Sequence, residues 1–236
     1  MKRIIVAAVC VMAMAGTVLA EEQAALKTQK DKVSYIIGMD IGNNFKKQGI
    51  EIDADMLMKG LKDVLAGSKP LIAEKEAVDT MTAFKQEYMA KQAETARVQS
   101  EKNKKDGEAF LSENKKKEGV KTLPSGLQYK VITEGAGKTP KAADTVTVNY
   151  RGTLVDGTEF DSSYKRGQPA SFPVKGVIPG WVEALQLMKE GDKWQLYIPA
   201  NLAYGDKNAG LIGPNATLIF DVELITVKET AAAPAK

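Results

Sequence analysis

Five short segments hold the side chains with chemical potential: Val148-Asn149-Tyr150-Arg151-Gly152, Asp156-Gly157-Thr158-Glu159-Phe160-Asp161-Ser162-Ser163, Val177-Ile178-Pro179-Gly180-Trp181, Ala203-Tyr204-Gly205 and Ala216 to Leu224. None contains an imidazole or a thiol, and histidine is absent from the whole chain. That removes the commonest general base, the commonest metal ligand and every Ser-His or Cys-His nucleophile pair. Any chemistry must proceed without an imidazole proton shuttle. The segments offer aromatic surface, the carboxylates of Asp156, Glu159, Asp161, Asp221 and Glu223, and hydroxyls that include those of Tyr150 and Tyr204. Taken singly, aromatic residues in a small sheet domain are most often plain core. Asp161, ahead of Ser162-Ser163, reads on physical grounds as a turn-capping aspartate.

The first twenty residues read as a secretory signal: Lys2 and Arg3, an apolar run from Ile4 to Ala15, and a small-residue cleavage site at Val18-Leu19-Ala20. The run is shorter than the ~20 residues of a spanning helix, and no second run follows, so no membrane span is expected after signal removal. Cys10, the only cysteine, lies inside this segment with Val9 before it. A processed chain therefore has no disulfide and no thiolate metal site, and lipidation is not expected. Net charge is +3, and loss of Lys2 and Arg3 leaves the chain close to neutrality, which argues against a nucleic-acid partner.

From Leu26 to Gly119 there is a single proline, Pro70, and the pattern is helical. Val33, Ile37, Ile41 and Phe45 recur at fourfold spacing, a buried helical stripe that Gly49 stops. Asp53 caps a second helix bearing Leu57, Leu61, Val64 and Leu65, closed by Gly67. A third, from about Glu74 to Lys117, carries Val78, Met81, Phe84 and Tyr88 and then becomes charged nearly all round, as a solvent-bridging spacer does. Two short helices cannot bury their apolar faces in so small a unit. Residues 21–90 are accordingly read as a homodimerisation module rather than a small packed monomeric bundle, and 91–118 as the linker part of the long helix rather than a disordered Lys/Glu linker.

Composition shifts at Gly119 to Gly126. Short β-rich runs follow at Leu127–Ile132, Thr145–Leu154, Thr158–Asp161, Trp194–Ile198 and Thr217–Val227, with a hairpin signal at Asp156-Gly157 and one short helix from Pro179 to Met188. The fold class is α+β: an antiparallel sheet wrapped around one short helix at 119–228, preceded by an all-α arm and followed by a frayed tail at 229–236.

The five segments, in this order, resemble the landmarks of the FKBP-type peptidyl-prolyl cis/trans isomerases, over roughly Leu123 to Lys228. The arm and the leader Thr122 to Tyr129 are similar to the exported bacterial subgroup that includes the macrophage infectivity potentiator proteins and the periplasmic FKBP chaperones. The resemblance implies that Trp181 floors an aromatic pocket walled by Tyr150, Phe160, Phe172, Val177, Ile178 and Phe220. It implies that Tyr204 and the Ile178 N–H bond the substrate backbone, that Asp161 pairs with Arg166, and that Leu211 and Ile212 supply the flap. It implies no cofactor or metal, Xaa-Pro segments of unfolded or partly folded proteins as substrates, macrolides as inhibitors, and a periplasmic or outer-membrane surface location. Three features depart from the family pattern: Ala170 replaces a large aromatic, the loop Asp206 to Pro214 is shortened, and Gly213 replaces one of two adjacent prolines. Two alternative readings would use the same pocket: a peptide-holding chaperone without isomerisation, or a surface virulence factor.

Overall fold

The computed structural model describes residues 26–229. The signal at 1–20 and the tail beyond Glu229 lie outside the described residues. Those described fall into two compact units divided between Val78 and Asp79.

The first unit is helical. Helix α1 (Gln29–Gln48) opens on a capping box, in which Thr28 Oγ1 accepts from the Asp31 N–H and the Asp31 carboxylate accepts from the Thr28 N–H; Gly49 closes it in the left-handed conformation. Helix α2 (Ala54–Leu65) opens on Asp53, whose Oδ1 accepts from the N–H groups of Asp55 and Met56. The caps are where the sequence places them, but the apolar stripes are not buried. Neither helix has a single buried residue; Ile37 is 54% exposed, Leu61 49% and Leu65 79%. The stripe expected to be buried is thus left uncovered within one chain, because the unit is too small to supply a second apolar layer.

Helix α3 (Glu74–Asn114) runs 41 residues, about 60 Å at 1.5 Å per residue. Its charged second half reads as a solvated spacer, yet one stripe of it packs against the sheet of the second unit. Ser100, Asn103, Gly107, Phe110, Leu111 and Asn114 recur at helical spacing, and Gly107 and Asn114 are buried. A Cβ on Gly107 would stand 2.3 Å from Thr217 Oγ1, so only glycine permits this approach. Phe110 meets Tyr197 with ring centroids 5.9 Å apart. Gln128 Nε2 donates to the Leu111 carbonyl, and Asn114 Nδ2 donates to Gln128 Oε1.

Seven antiparallel strands follow: β1 (Val120–Thr122), β2 (Gln128–Thr133), β3 (Thr145–Leu154), β4 (Glu159–Ser162), β5 (Ala170–Pro173), β6 (Lys193–Ile198) and β7 (Leu218–Lys228). Their order is β1-β2-β6-β7-β3-β4, with β5 beside β4 along the outer edge of β3. The five expected runs each form a strand within a residue or so; β1 and β5 are additions. Helix α4 (Pro179–Leu185) starts on Pro179 at its first position and stops three residues before Met188. It lies against the sheet with Trp181, Ala184 and Leu185 in a core shared with Val146, Leu196, Leu218 and Val222. The close approach depends on Gly180, where a Cβ would fall 2.5 Å from Ile198 Cγ2.

Candidate active site

The site is built where β3, β4 and α4 meet. Residues Gly152 and Asp161 pair across β3 and β4, whereas the next pair is Thr153 with Glu159, so Phe160 is an extra residue in a β-bulge. Regular strand alternation would send Phe160 and Asp161 to opposite faces. The bulge breaks that alternation, and both line one cavity. Opposite them, Gly152 keeps the space clear: a Cβ there would stand 2.7 Å from the rings of both Phe160 and Phe220.

The cavity encloses about 790 Å³. Trp181, only 4% exposed, lies at its base with Tyr150 (centroids 5.3 Å, 89°), Phe220 (5.3 Å, 83°) and Phe172 (6.1 Å, 85°) edge-on around it. Phe160 stands edge-on to Phe220 at 5.5 Å. Such packing holds each ring by the edge-to-face preference of aromatic quadrupoles. Val177 and Ile178 complete the walls, with Ile178 as N-cap of α4, where its N–H has no intrahelical acceptor. Tyr204 lies on the rim, followed by a tight turn in which Ala209 and Ile212 bridge and Gly210-Leu211 form the tip. Ile212 is buried, and Leu211 is 67% exposed.

One polar cluster touches this apolar space. The Tyr150 hydroxyl donates to Asp161 Oδ2 at 2.5 Å, Arg166 donates to the Tyr150 oxygen at 2.7 Å and to Asp161 Oδ1, and the guanidinium lies over the Tyr150 ring at 5.4 Å. Burial alone pushes the Asp161 carboxyl up, but the bonds from Tyr150 and Arg166 outweigh it and hold the group below the usual carboxylate range. Burial, then the neighbouring carboxylate, pushes the Tyr150 hydroxyl above its ordinary value. At neutral pH the cluster is therefore a phenol, a carboxylate and a guanidinium, with no proton in play. Asp161 also accepts from the Ser162 N–H at 2.8 Å, so its turn-capping role coexists with this pairing. Ser163 fixes the turn behind it, accepting from the Tyr150 N–H and donating its own N–H to the Tyr150 carbonyl, each at 2.9 Å.

All of Tyr150, Phe160, Asp161, Phe172, Val177, Ile178, Trp181, Tyr204, Leu211, Ile212 and Phe220 line this one cavity. Arg166 reaches it through Asp161 and Tyr150. Gly176, Ala209 and Gly210 line it as well, and Gly152 leaves room for it; none was singled out from sequence. Gly152 lies between Phe160 on β4 and Phe220 on β7, a placement set by strand pairing that no local sequence signal reveals.

The chain matches two family models in series: the domain amino-terminal to FKBP-type peptidyl-prolyl isomerase over residues 30–131, and FKBP-type peptidyl-prolyl cis-trans isomerase over 136–225. It belongs to the FKBP-type peptidyl-prolyl cis-trans isomerases. Among relatives, it is 49% identical to the outer membrane protein MIP of Legionella longbeachae over 230 residues, 97% of this chain and 99% of that one. It is 46% identical to the peptidyl-prolyl cis-trans isomerase Mip of Coxiella burnetii, over 97% and 100% of the two chains. The crystal structure of FkpA from Escherichia coli superposes with a TM-score of 0.65 at 41% identity, covering 86% of this chain and 98% of that one. The chain is thus a peptidyl-prolyl isomerase of the FKBP type, with an all-α region ahead of an FKBP-like sheet.

Proposed function

We propose that the cavity over Trp181 is where this FKBP isomerises Xaa-Pro bonds, and that two chains pair through residues 21–90 to present two such cavities to unfolded exported proteins. Residues 91–118 are then the linker and 119–228 the catalytic domain. The observation that supports the site is the combination of edge-packed rings around Trp181 with a single, fully paired polar cluster at their margin.

Rotation about a prolyl bond must break amide resonance, across a barrier of about 18–20 kcal/mol, but makes and breaks no covalent bond. A dry aromatic cavity disfavours the charge-separated planar amide relative to the twisted one, whose carbonyl is more ketone-like. In this reading the pyrrolidine ring rests on Trp181 between Tyr150, Phe160, Phe172, Val177 and Phe220. The Ile178 N–H donates to a substrate carbonyl, Tyr204 donates to the peptide backbone, and Leu211 and Ile212 close over it. Asp161, held by Arg166, orients and polarises without transferring a proton. A macrolide would compete for the same cavity. No metal or cofactor takes part.

Pairing follows from the uncovered stripes of α1 and α2, and two linked cavities gain effective concentration on one client, which is the source of chaperone activity. Export to the periplasm, or association with the outer-membrane surface, follows from the signal-type N-terminus and accords with the name of the Legionella longbeachae relative.

Three substitutions test the site with a short Xaa-Pro peptide. Phe160→Ala removes a wall and is expected to cost most. Tyr204→Phe removes one hydroxyl and costs at most about 0.5–1.5 kcal/mol. Asp161→Asn lowers turnover more than ligand affinity, because only contacts stronger in the transition state raise the rate. Circular dichroism checks folding. Wild-type rates in all three folded variants would mean that the cavity is not the site.

A further inference from the structure

The polar stripe of α3 does more than attach the helix to the sheet. It meets the loop that carries Tyr204, Leu211 and Ile212. Within itself that loop holds a narrow turn, the Ala209–Ile212 bridge, and two further backbone bonds, Lys207 N–H to the Tyr204 carbonyl and Asn215 N–H to the Gly205 carbonyl, while its tip at Leu211 is exposed. Its returning stem is held from outside. Asn103 Nδ2 donates to the carbonyl of the buried Pro214 at 2.8 Å. Asn215 Nδ2 donates to Ser100 Oγ at 2.8 Å. Gly213 fits beneath the helix because it has no side chain, a Cβ there standing 2.9 Å from Asn103 Nδ2.

Asn215 is the pivot. Among the described residues it is the one non-glycine with positive φ, at 55°, a conformation that disfavours side chains. Two bonds hold it there: the one to Ser100, and its own N–H to the Gly205 carbonyl at 2.7 Å. Gly205 directly follows Tyr204. Ser100, Asn215, Gly205 and Tyr204 thus form a continuous line from helix to cavity rim. The tip has α3 on its other side: Gly210 and Leu211 line both the aromatic cavity and a second one, of about 440 Å³, walled by Gln99, Lys102, Asn103 and Asp106.

We infer that Ser100 and Asn103 of α3 are positioning residues of the prolyl site, holding the 204–215 loop so that Tyr204, Leu211 and Ile212 face the substrate. The inference rests on the cavity over Trp181 being that site. A loop with so few internal backbone bonds opens at low cost unless a rigid element pins it, and α3 is that element. The linker part of the helix then braces the 119–228 domain from outside it, and substrate capture depends on residues far from the aromatic cavity in sequence.

The test uses the full-length chain lacking residues 1–20, with Ser100→Ala/Asn103→Ala as the variant. Its KM for a short Xaa-Pro peptide is expected to rise roughly three- to tenfold, the effect of one or two ordinary hydrogen bonds, with kcat much less affected. Amide hydrogen exchange should accelerate in residues 205–215 and stay unchanged in β6 and β7. Ser100→Thr, which keeps the hydroxyl, should restore wild-type exchange in an Asn103 background. Should the double variant unfold, Ser100→Ala alone, at a helical position that alanine favours, and Asn215→Gly, which keeps the left-handed backbone, give the same readout. Unchanged KM and exchange in folded variants overturn the inference. Phe160→Ala, run in parallel, separates the two claims: if it loses activity while the α3 variants do not, only the positioning role fails; if it too keeps wild-type rates, the site and the positioning role both fail.

Discussion

Leu61 on α2 and Leu196 on β6 are the same residue type on regular elements, yet the first is 49% exposed and the second 0%. The same holds for their neighbours. Around Leu196, the strands and α4 supply two apolar layers, and one chain completes its own core. Around Leu61, Leu57, Val64 and Leu65 also remain open, because two short helices have no second layer to offer. Self-sufficiency is what a rigid cavity requires, since its rings must be held to within a fraction of an ångström. An uncovered stripe is what association requires. The difference accords with the proposed division, chemistry in the sheet and pairing in the helices.

The largest expected effect breaks the self-sufficient half. Leu196→Ala should cost about 2–5 kcal/mol in denaturant unfolding, independent of protein concentration, because it opens a cavity in a closed core. Leu61→Ala should act in a different way. It should raise the dissociation constant of the dimer about tenfold or more, the equivalent of losing 1.4 kcal/mol or more of buried apolar contact, while moving the unfolding of the sheet domain by less than about 0.5 kcal/mol. A concentration-independent loss in both variants would erase the distinction.

Much of this division was legible in the sequence. Gly49 and Asp53 marked helix ends because capping is local chemistry, and the hairpin at Asp156-Gly157 was readable for the same reason: Gly157 has φ 88°, and Asp156 Oδ1 accepts from the Thr158 N–H. Strands β1 and β5 escaped, since three residues at one edge, and four that include Ser171 and Pro173, have no strong pattern of their own. Phe160 was named from the family motif, but the bulge that turns it and Asp161 into one cavity is set by pairing with β3 and leaves no local trace. The α3 contact was hidden for a related reason. Hydrophobic periodicity sees only Phe110 and Leu111 of a stripe otherwise made of Ser100, Asn103, Gly107 and Asn114.

A smaller effect concerns pH. The bonds to the ionised Asp161 are fully present above the ordinary carboxylate value of about 3.9 and are lost as pH falls through its lower folded-state value. The Tyr150 hydroxyl, pushed up, stays protonated through the ordinary tyrosine value of about 10. With no histidine between them, peptide isomerisation should be flat from about pH 6 to 8. A bell-shaped profile in that window, with folding intact, would require a proton transfer that the cluster does not provide.

The most direct test of the division separates the two halves without cutting the chain. Leu61→Asp and Ile37→Asp together place charge on both uncovered stripes; the mass in solution should fall to that of one chain. The dissociated variant and the wild type are then compared on a short Xaa-Pro peptide and on a large protein whose refolding is limited by proline isomerisation. The expected result is equal kcat/KM on the peptide, because the cavity is complete within one chain, and slower refolding of the large client, because the second cavity is no longer tethered nearby. Loss of peptide activity on dissociation, or refolding as fast as with the dimer, would contradict it.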